Sequence, residues 1–409
     1  MSMNYSAQEA GRPQPQTTIE PAAAGSPFIR YSQPGTGPQY VVSGSALGST
    51  ITQPLVARPG YARSLRVTQS LYYQGTVTTQ ALSADGMPAV NSLIQVRDSF
   101  GTPLFTVDGF TMAVIIPMVT QSFGALAGNN YYQNLPSYSA WQTSTETAGT
   151  LAGQFSYNIP FEFAQGIGCI SMANASLLPT LQFNLNTATG LLGSSFAGTA
   201  PTVNTSVDLN YWWLPEGSPD ITPPGLGTTR QFQQVSLNPT VASNTSARLQ
   251  APRTGGYLDS LTFIARDSNG NRQDSVFPTG NNGNNRLQLY VDGVPLNDST
   301  WNELQDDFAI ANNTNGVTVP TSANTAGSGY GISNGRPVGV LSYNRKTSLS
   351  QVSLGKLDSG EQLLSTNPST LIELNASPWG TFSNGPATIQ AVFGQIVPTG
   401  SIIQGLPEL

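Results

Sequence analysis

The chain has 409 residues, 16 Lys and Arg against 22 Asp and Glu, one cysteine (Cys169) and no histidine. An intrachain disulfide framework, His/Cys zinc sites, His-dependent triads and every histidine general base are therefore excluded. A net charge of −6 also argues against a protein that tracks nucleic-acid phosphates.

Charged residues make up 9% of the chain, well below the roughly 25% of an average globular protein. Hydrophobic residues at 38% and aromatics at 9% still supply a sizeable core, so the composition is not that of a disordered chain. Glycine (42) and proline (30) are abundant, and Thr, Ser and Asn outnumber helix formers such as Lys and Glu. Short strands joined by turns and long loops, an all-β sandwich or barrel, is the expected class. The length suggests two or three domains.

Residues 1–50 read as an extended arm. Pro13, Pro15, Pro21, Pro27, Pro34 and Pro38 remove amide donors and favour polyproline-like chain. Two basic residues (Arg12, Arg30) and two acidic ones (Glu9, Glu20) leave it uncharged overall. It is either a disordered terminus or an arm that orders on a neighbouring subunit. It has no basic region followed by an apolar one, so no secretory signal is expected. The lone thiol fits a reducing cytosol.

Strand and turn signals recur from Ile51. Leu65 and Val67 alternate with Arg66 and Thr68. Leu93–Val96 and Leu104–Val107 flank a turn, Asp98–Pro103. The apolar run Phe110–Val119 is too short to span a bilayer as a helix and holds Pro117, so a buried strand is expected. Phe155, Tyr157 and Ile159 alternate with polar residues. Phe163–Leu178 could hold a helix, but Gly166 and Gly168 weaken it. Val207, Leu209, Tyr211 and Trp213 alternate with Asp208, Asn210 and Trp212, which predicts a strand with the first set buried. The best helix signal is Thr300–Ala311, where Thr300 and Glu303 form a capping box and Trp301, Leu304 and Phe308 share a face. Gly124–Gly153, Thr187–Thr205, Asn281–Asn285 and Asn312–Arg336 read as long loops that project from one end of a sandwich.

Three ordered pairs of segments indicate a duplication. GYARSLRV at Gly60 matches GYLDSLTF at Gly256. SLIQVRDSFGTPL at Ser92 matches RLQLYVDGVPL at Arg286. SVDLNYWWLPEGS at Ser206 matches TIQAVFGQIVPTGS at Thr388, which aligns Val207 with Ile389, Tyr211 with Phe393 and Pro215 with Pro398. The spacings, from 183 to 196 residues, are those of duplicated domains rather than solenoid units. A Pro/Gly linker at Pro215–Thr229 separates the copies. The expected division is an arm at 1–50, one domain at 51–222 and a second at 223–409.

Two tandem all-β domains with an arm and long polar loops resemble the double jelly-roll major capsid proteins of tailless icosahedral phages with an internal membrane, the tectivirus type. The strand VDLNYWWLP, which closes the first domain, carries the resemblance most directly. It is similar to the aromatic strand and proline stop that end the first roll in that family. The resemblance implies two eight-stranded jelly rolls with few short helices. It implies a homotrimer of pseudo-hexagonal outline, contacts to neighbouring capsomers and to minor capsid or penton proteins, and outward loops. It also implies an N-terminal segment pointing toward the internal membrane or neighbouring capsomers. The arm here departs in being proline-rich rather than a basic amphipathic helix. The expected place is the capsid shell of a virion, after synthesis in the host cytoplasm. A shell subunit also suits the composition, because interface cores are depleted in charged side chains. The alternatives are a virion spike or receptor-binding protein, and a carbohydrate-binding β-sandwich.

No catalytic, cofactor or metal residues are expected. Adjacent Asp306 and Asp307 diverge by about 100° on a helix and do not converge on one proton. Asp98, Asp267 and Asp292 fit turn caps. Asp267–Asn271 has the alternation of a calcium loop but lacks its distal glutamate, so a β-turn is expected. Gly327–Gly331 follows no strand and opens no helix, which disfavours a phosphate cradle. Sequons at Asn204 and Asn297 are expected by composition. Trp212, Trp213, Trp301 and Trp379 read as core or interface residues rather than a sugar platform. Cys169 reads as an inert buried thiol.

Overall fold

The computed structural model describes residues 27–75, 85–120, 148–149, 151–163, 166–192, 198–251, 256–278, 286–301, 303–304, 332–333, 336–337, 339–344, 355–356, 362–366 and 369–397. Eight strands build the first half: β1 Gln33–Ala46, β2 Thr50–Pro54, β3 Tyr61–Tyr72, β4 Asn91–Arg97, β5 Pro103–Val107, β6 Leu151–Pro160, β7 Thr180–Leu185 and β8 Thr202–Trp213. Eight more build the second: β9 Thr229–Ser236, β10 Ala247–Gln250, β11 Gly256–Arg266, β12 Arg286–Val291, β13 Val294–Thr300, β14 Val340–Asn344, β15 Ile372–Ser377 and β16 Thr388–Val397. Short extra strands at Ile170–Ser171 and Gln362–Thr366 flank β3 and β11.

The pairing repeats with a period of eight strands. In the first half the orders are β1-β8-β3-β6 and β2-β7-β4-β5. In the second they are β9-β16-β11-β14 and β10-β15-β12-β13. Each half is therefore an eight-stranded jelly roll with facing sheets, as expected for the all-β double-roll class.

Local chemistry follows the alternation of side chains. Leu65 and Val67 on β3, Phe155 and Ile159 on β6, and Val207 and Leu209 on β8 all point into the first core. The second core is built on Leu261, Phe263, Leu287, Leu289, Leu374 and Phe393. Phe232 and Val392 of the second roll pack into the first cluster, so the two cores meet.

The duplication extends to irregularities. Arg63 is the unpaired extra residue where β3 meets β8, and Asp259 is the same where β11 meets β16. Leu104 is skipped between β4 and β5, and Leu296 between β12 and β13. The first two sequence matches thus align bulge on bulge, at offsets of 196 and 192 residues. The third is displaced by two residues. Leu65 pairs with Leu209, and its counterpart Leu261 pairs with Phe393. Leu209, not Tyr211, is therefore the equivalent of Phe393.

Four expectations are corrected. The arm does not extend to residue 50, because Gln33–Ala46 pairs with β8 along its length. Its prolines are tolerated because an edge strand can leave alternate amides unpaired. Phe110–Val119 is not a strand. Thr111–Ile115 is a π-helical turn followed by an α-helical turn at Ile116–Thr120. Asp108 Oδ1 accepts from Thr111 N at 2.7 Å and starts the turn, and a short run apolar on every side suits a buried helix as well as a strand. Phe163–Leu178 holds no α-helix among its described residues. Gly166 and Gly168 take φ of 91° and 92°, and the segment carries a short strand and a 3₁₀ turn. Trp213 is 36% exposed rather than buried.

The capping box forms: Glu303 N donates to Thr300 Oγ1 at 3.3 Å, and Thr300 N donates to Glu303 Oε2 at 2.7 Å. Phe308, Asp306, Asp307 and Gly327–Gly331 lie outside the described residues.

Candidate functional site: the seam and the two poles

The rolls are joined edge to edge. Strand β9 runs parallel to β5, with Phe232 opposite Phe105 and Gln233 opposite Thr106. One sheet of each roll thereby fuses into a single sheet crossing the molecule. The Phe105 and Phe232 rings stack at 5.8 Å beneath the junction.

A charged cluster locks one side of this seam. Arg266 Nη2 lies 2.7 Å from Asp85 Oδ2, and Arg272 Nε donates to Asp85 Oδ1 at 2.8 Å. Gln234 Nε2 donates to Asp108 Oδ2 at 2.8 Å, while Asp108 N donates to Gln234 Oε1 at 2.9 Å. Both Asp residues belong to the first roll and both Arg residues to the second. The Arg272 guanidinium also lies 4.2 Å from the centre of the Phe110 ring. Burial alone would raise the Asp85 carboxyl, but Arg266 and Arg272 outweigh it and hold the group below its usual range.

Each roll has a second ion pair at its bulge. Arg63 Nε donates to Glu162 Oε2 at 2.5 Å and lies 4.0 Å from the Trp212 ring centre. Glu162 Oε1 also accepts from Gly166 N and Trp212 Nε1. In the second roll Asp259 pairs with Arg230, and both side chains are almost wholly buried, at 1% and 2% exposure. Sequence reasoning missed these groups. The available signal was rarity: a charge inside an apolar strand, as in GYLDSL, stands out in a chain so poor in charge.

Strand directions define two poles. Parallel pairing of β5 and β9 gives both rolls the same orientation. One pole, here the linker pole, carries the start of β1, the 55–60, 98–102 and 161–179 connections, the 214–228 linker, the β12–β13 turn and the end of β16. Of nine large apolar side chains exposed among the described residues, seven lie there; Val41 and Leu151 do not. Phe100, at the tip of the β4–β5 turn, is 85% exposed. The four segments expected as long loops fall between strands whose described ends lie at the opposite pole, although 151–153, 202–205, 332–333 and 336 belong to strands and Ala188–Leu192 is helical.

The remaining candidates are structural. Asp267 Oδ1 accepts from Asn269 N and Asn271 N, and its Oδ2 from Gln273 Nε2 and Asn384 Nδ2. That carboxylate is saturated by turn donors, which fits the β-turn reading. No group of three or more acidic, Cys or His residues positioned for a metal occurs among the described residues. Asp98 Oδ1 caps Phe100 N and Thr102 N, and Asp292 Oδ1 accepts from Leu371 N. Trp301 stacks on Phe277 at 4.5 Å, and Trp379 is buried beside it. Trp212 and Trp213 lie in the other roll, so the four tryptophans form no platform. Asn204 Oδ1 accepts from Gly44 N. Cys169 is buried, and burial followed by the nearby Glu162 pushes its thiol far above the usual range.

No family model matches the sequence, and no curated protein matches it. Solved structures do. The major capsid protein of Sulfolobus Turreted Icosahedral Virus (STIV) superposes with a TM-score of 0.57 at 13% identity, over 92% of this chain and 100% of that one. PBCV-1 VP54, in a structure fitted into a reconstruction of the virophage Sputnik, gives 0.56 at 11% identity, over 89% of this chain and 93% of that one. With its two rolls, shared orientation and fused sheet, the chain has the double jelly-roll fold of these proteins.

Proposed function

We propose that the chain is a structural subunit, the major capsid protein of a tailless icosahedral virus, working as a homotrimer in the virion shell. The observation that carries this reading is one topology used twice in one orientation, matched over nearly the whole length of two viral proteins. Three such chains present six similar rolls around one axis, which lets a trimer tile as a pseudo-hexagon. The division we favour is a segment before β1, a first roll closing at Trp213 and a second roll from Thr229, with the linker between them. No catalysis, cofactor or metal is assigned, and no direct contact with nucleic acid.

The finer reading is the tectivirus lineage. The linker pole, rich in exposed apolar side chains and the site where residues 1–26 join the rolls, supports an inward orientation toward an internal membrane. The opposite pole, with the long connections, then faces outward. Neighbouring capsomers and minor or penton proteins would meet the lateral faces. Electron microscopy and a stoichiometric gel of purified particles test this. A dominant band near 43.1 kDa in icosahedral particles supports the shell role. A few copies per particle would favour a spike instead.

A further inference from the structure

The internal seam uses one sheet edge of each roll. In the first roll, β5 is consumed by β9, but β1 is an edge with no second neighbour among the described residues. In the second roll, β9 is consumed, but its counterpart of β5, the strand β13, is an edge with no second neighbour among the described residues. The chain therefore ends on one side with an unmatched copy of β9 and on the other with an unmatched copy of β5.

Register carries this to single residues. Gln33 opposite Trp213 matches Thr229 opposite Val397, so β1 maps on β9 with an offset of 196. The shared bulge maps β5 on β13 with an offset of 192. Phe232 opposite Phe105 then becomes Thr36 opposite Asn297, and Gln233 opposite Thr106 becomes Gly37 opposite Asp298.

The surfaces at those positions are complementary. Pro34 and Pro38 face Trp212 and Asp208 and cannot donate, so these are the non-hydrogen-bonded pairs of the ladder. Thr36 lies between them with the same parity, and its N–H and C=O point away from β8. The prolines limit strand addition to a short stretch, like the two-residue internal seam. Arg58 lies across Gly37, where a Cβ would sit 2.9 Å from Nη1, and Arg58 Nη2 donates to Pro38 O at 2.6 Å. No carboxylate among the described residues pairs with Arg58, and its Nε is buried without a partner. On β13, Asp298 and Glu303 share one cation, Arg286. The Asn297 Oδ1 is likewise buried without a partner. One edge thus has an unmatched positive charge, and the other an excess negative charge at the register position opposite it.

We infer that copies of this chain join head to tail, with the β13 edge of one seated on the β1 edge of the next and Arg58 facing Asp298. The contact repeats the internal seam and is heterologous, so successive copies close into a ring whose rolls alternate between internal and intermolecular seams. The inference rests on the self-assembly proposed above and assigns the residues that perform it.

Cysteine pairing tests it in the full-length chain. Thr36→Cys with Asn297→Cys places thiols across the proposed junction, and the native Cys169 is buried. Mild oxidation of the assembled double variant should give covalently linked trimers, while either single variant gives none. A charge swap is the second arm. Arg58→Glu or Asp298→Lys alone should raise the dissociation constant about tenfold or more, and the two together should restore it. Assembled protein without cross-links, and with unchanged affinity in the single charge variants, overturns the junction but leaves self-assembly standing. A wild-type chain that stays monomeric overturns both.

Discussion

Arg63 and Asp259 occupy the same position in the two rolls, 196 residues apart, each as the extra residue of a bulge and each bearing an ion pair of opposite polarity. Arg63 is about a third exposed, whereas Asp259 is sealed in the core. Removing one partner of a buried pair strands the other charge and costs about 3–5 kcal/mol. Removing a partly solvated partner costs far less. Asp259→Asn should therefore lower the denaturation midpoint steeply, and Arg63→Gln only slightly, by urea unfolding. Equal losses would contradict the assignment.

The seam makes a pH prediction. The folded Asp85 carboxyl is held below its unfolded value, so its contribution is complete above the ordinary carboxylate range and is lost as pH falls through the lower folded value. Asp85→Asn should destabilise the protein by about 3–5 kcal/mol at pH 7. The gap between wild type and variant should persist at pH 5 and close only below about pH 4. Thermal unfolding of both proteins across that range reads it directly.

Much of the fold was legible in the sequence, for a simple reason. Alternation marks strands with one buried face, and Leu65, Phe155 and Val207 all fell where the pattern put them. The duplication was also legible, because Gly60–Leu65 and Gly256–Leu261 keep the same bulge. What escaped was context. Pro34 and Pro38 read as an arm, since a sequence does not reveal that both occupy non-hydrogen-bonded positions of an edge strand. Phe110–Val119 has no period to separate a strand from a buried helix. The seam residues Asp85, Asp108, Arg266 and Arg272 are dispersed in sequence, and only the side-by-side packing of the rolls collects them.

Gly60 supplies a backbone prediction. Its φ is +120°, and a Cβ there would lie 2.2 Å from Trp212 O. Gly60→Ala should destabilise by about 1–3 kcal/mol or more, from strain at a glycine-only conformation plus the clash. Gly101, at φ +85° in an open turn, adds no clash, so Gly101→Ala should cost less. Paired denaturation curves compare the two.

Cys169 should be silent in the native state. Burial keeps the thiol protonated, and only the thiolate reacts readily. Treatment with a thiol-specific reagent at pH 8 should label almost none of the folded protein and one equivalent in denaturant. Rapid labelling of the folded chain would show that this part of the first roll is open.

The native mass of the purified chain tests the central claim most directly. Sedimentation velocity at micromolar concentration should show one species near three times 43.1 kDa, about 129 kDa, which is the six-roll ring of the proposed trimer. A single species at 43.1 kDa that persists as the concentration is raised would contradict it.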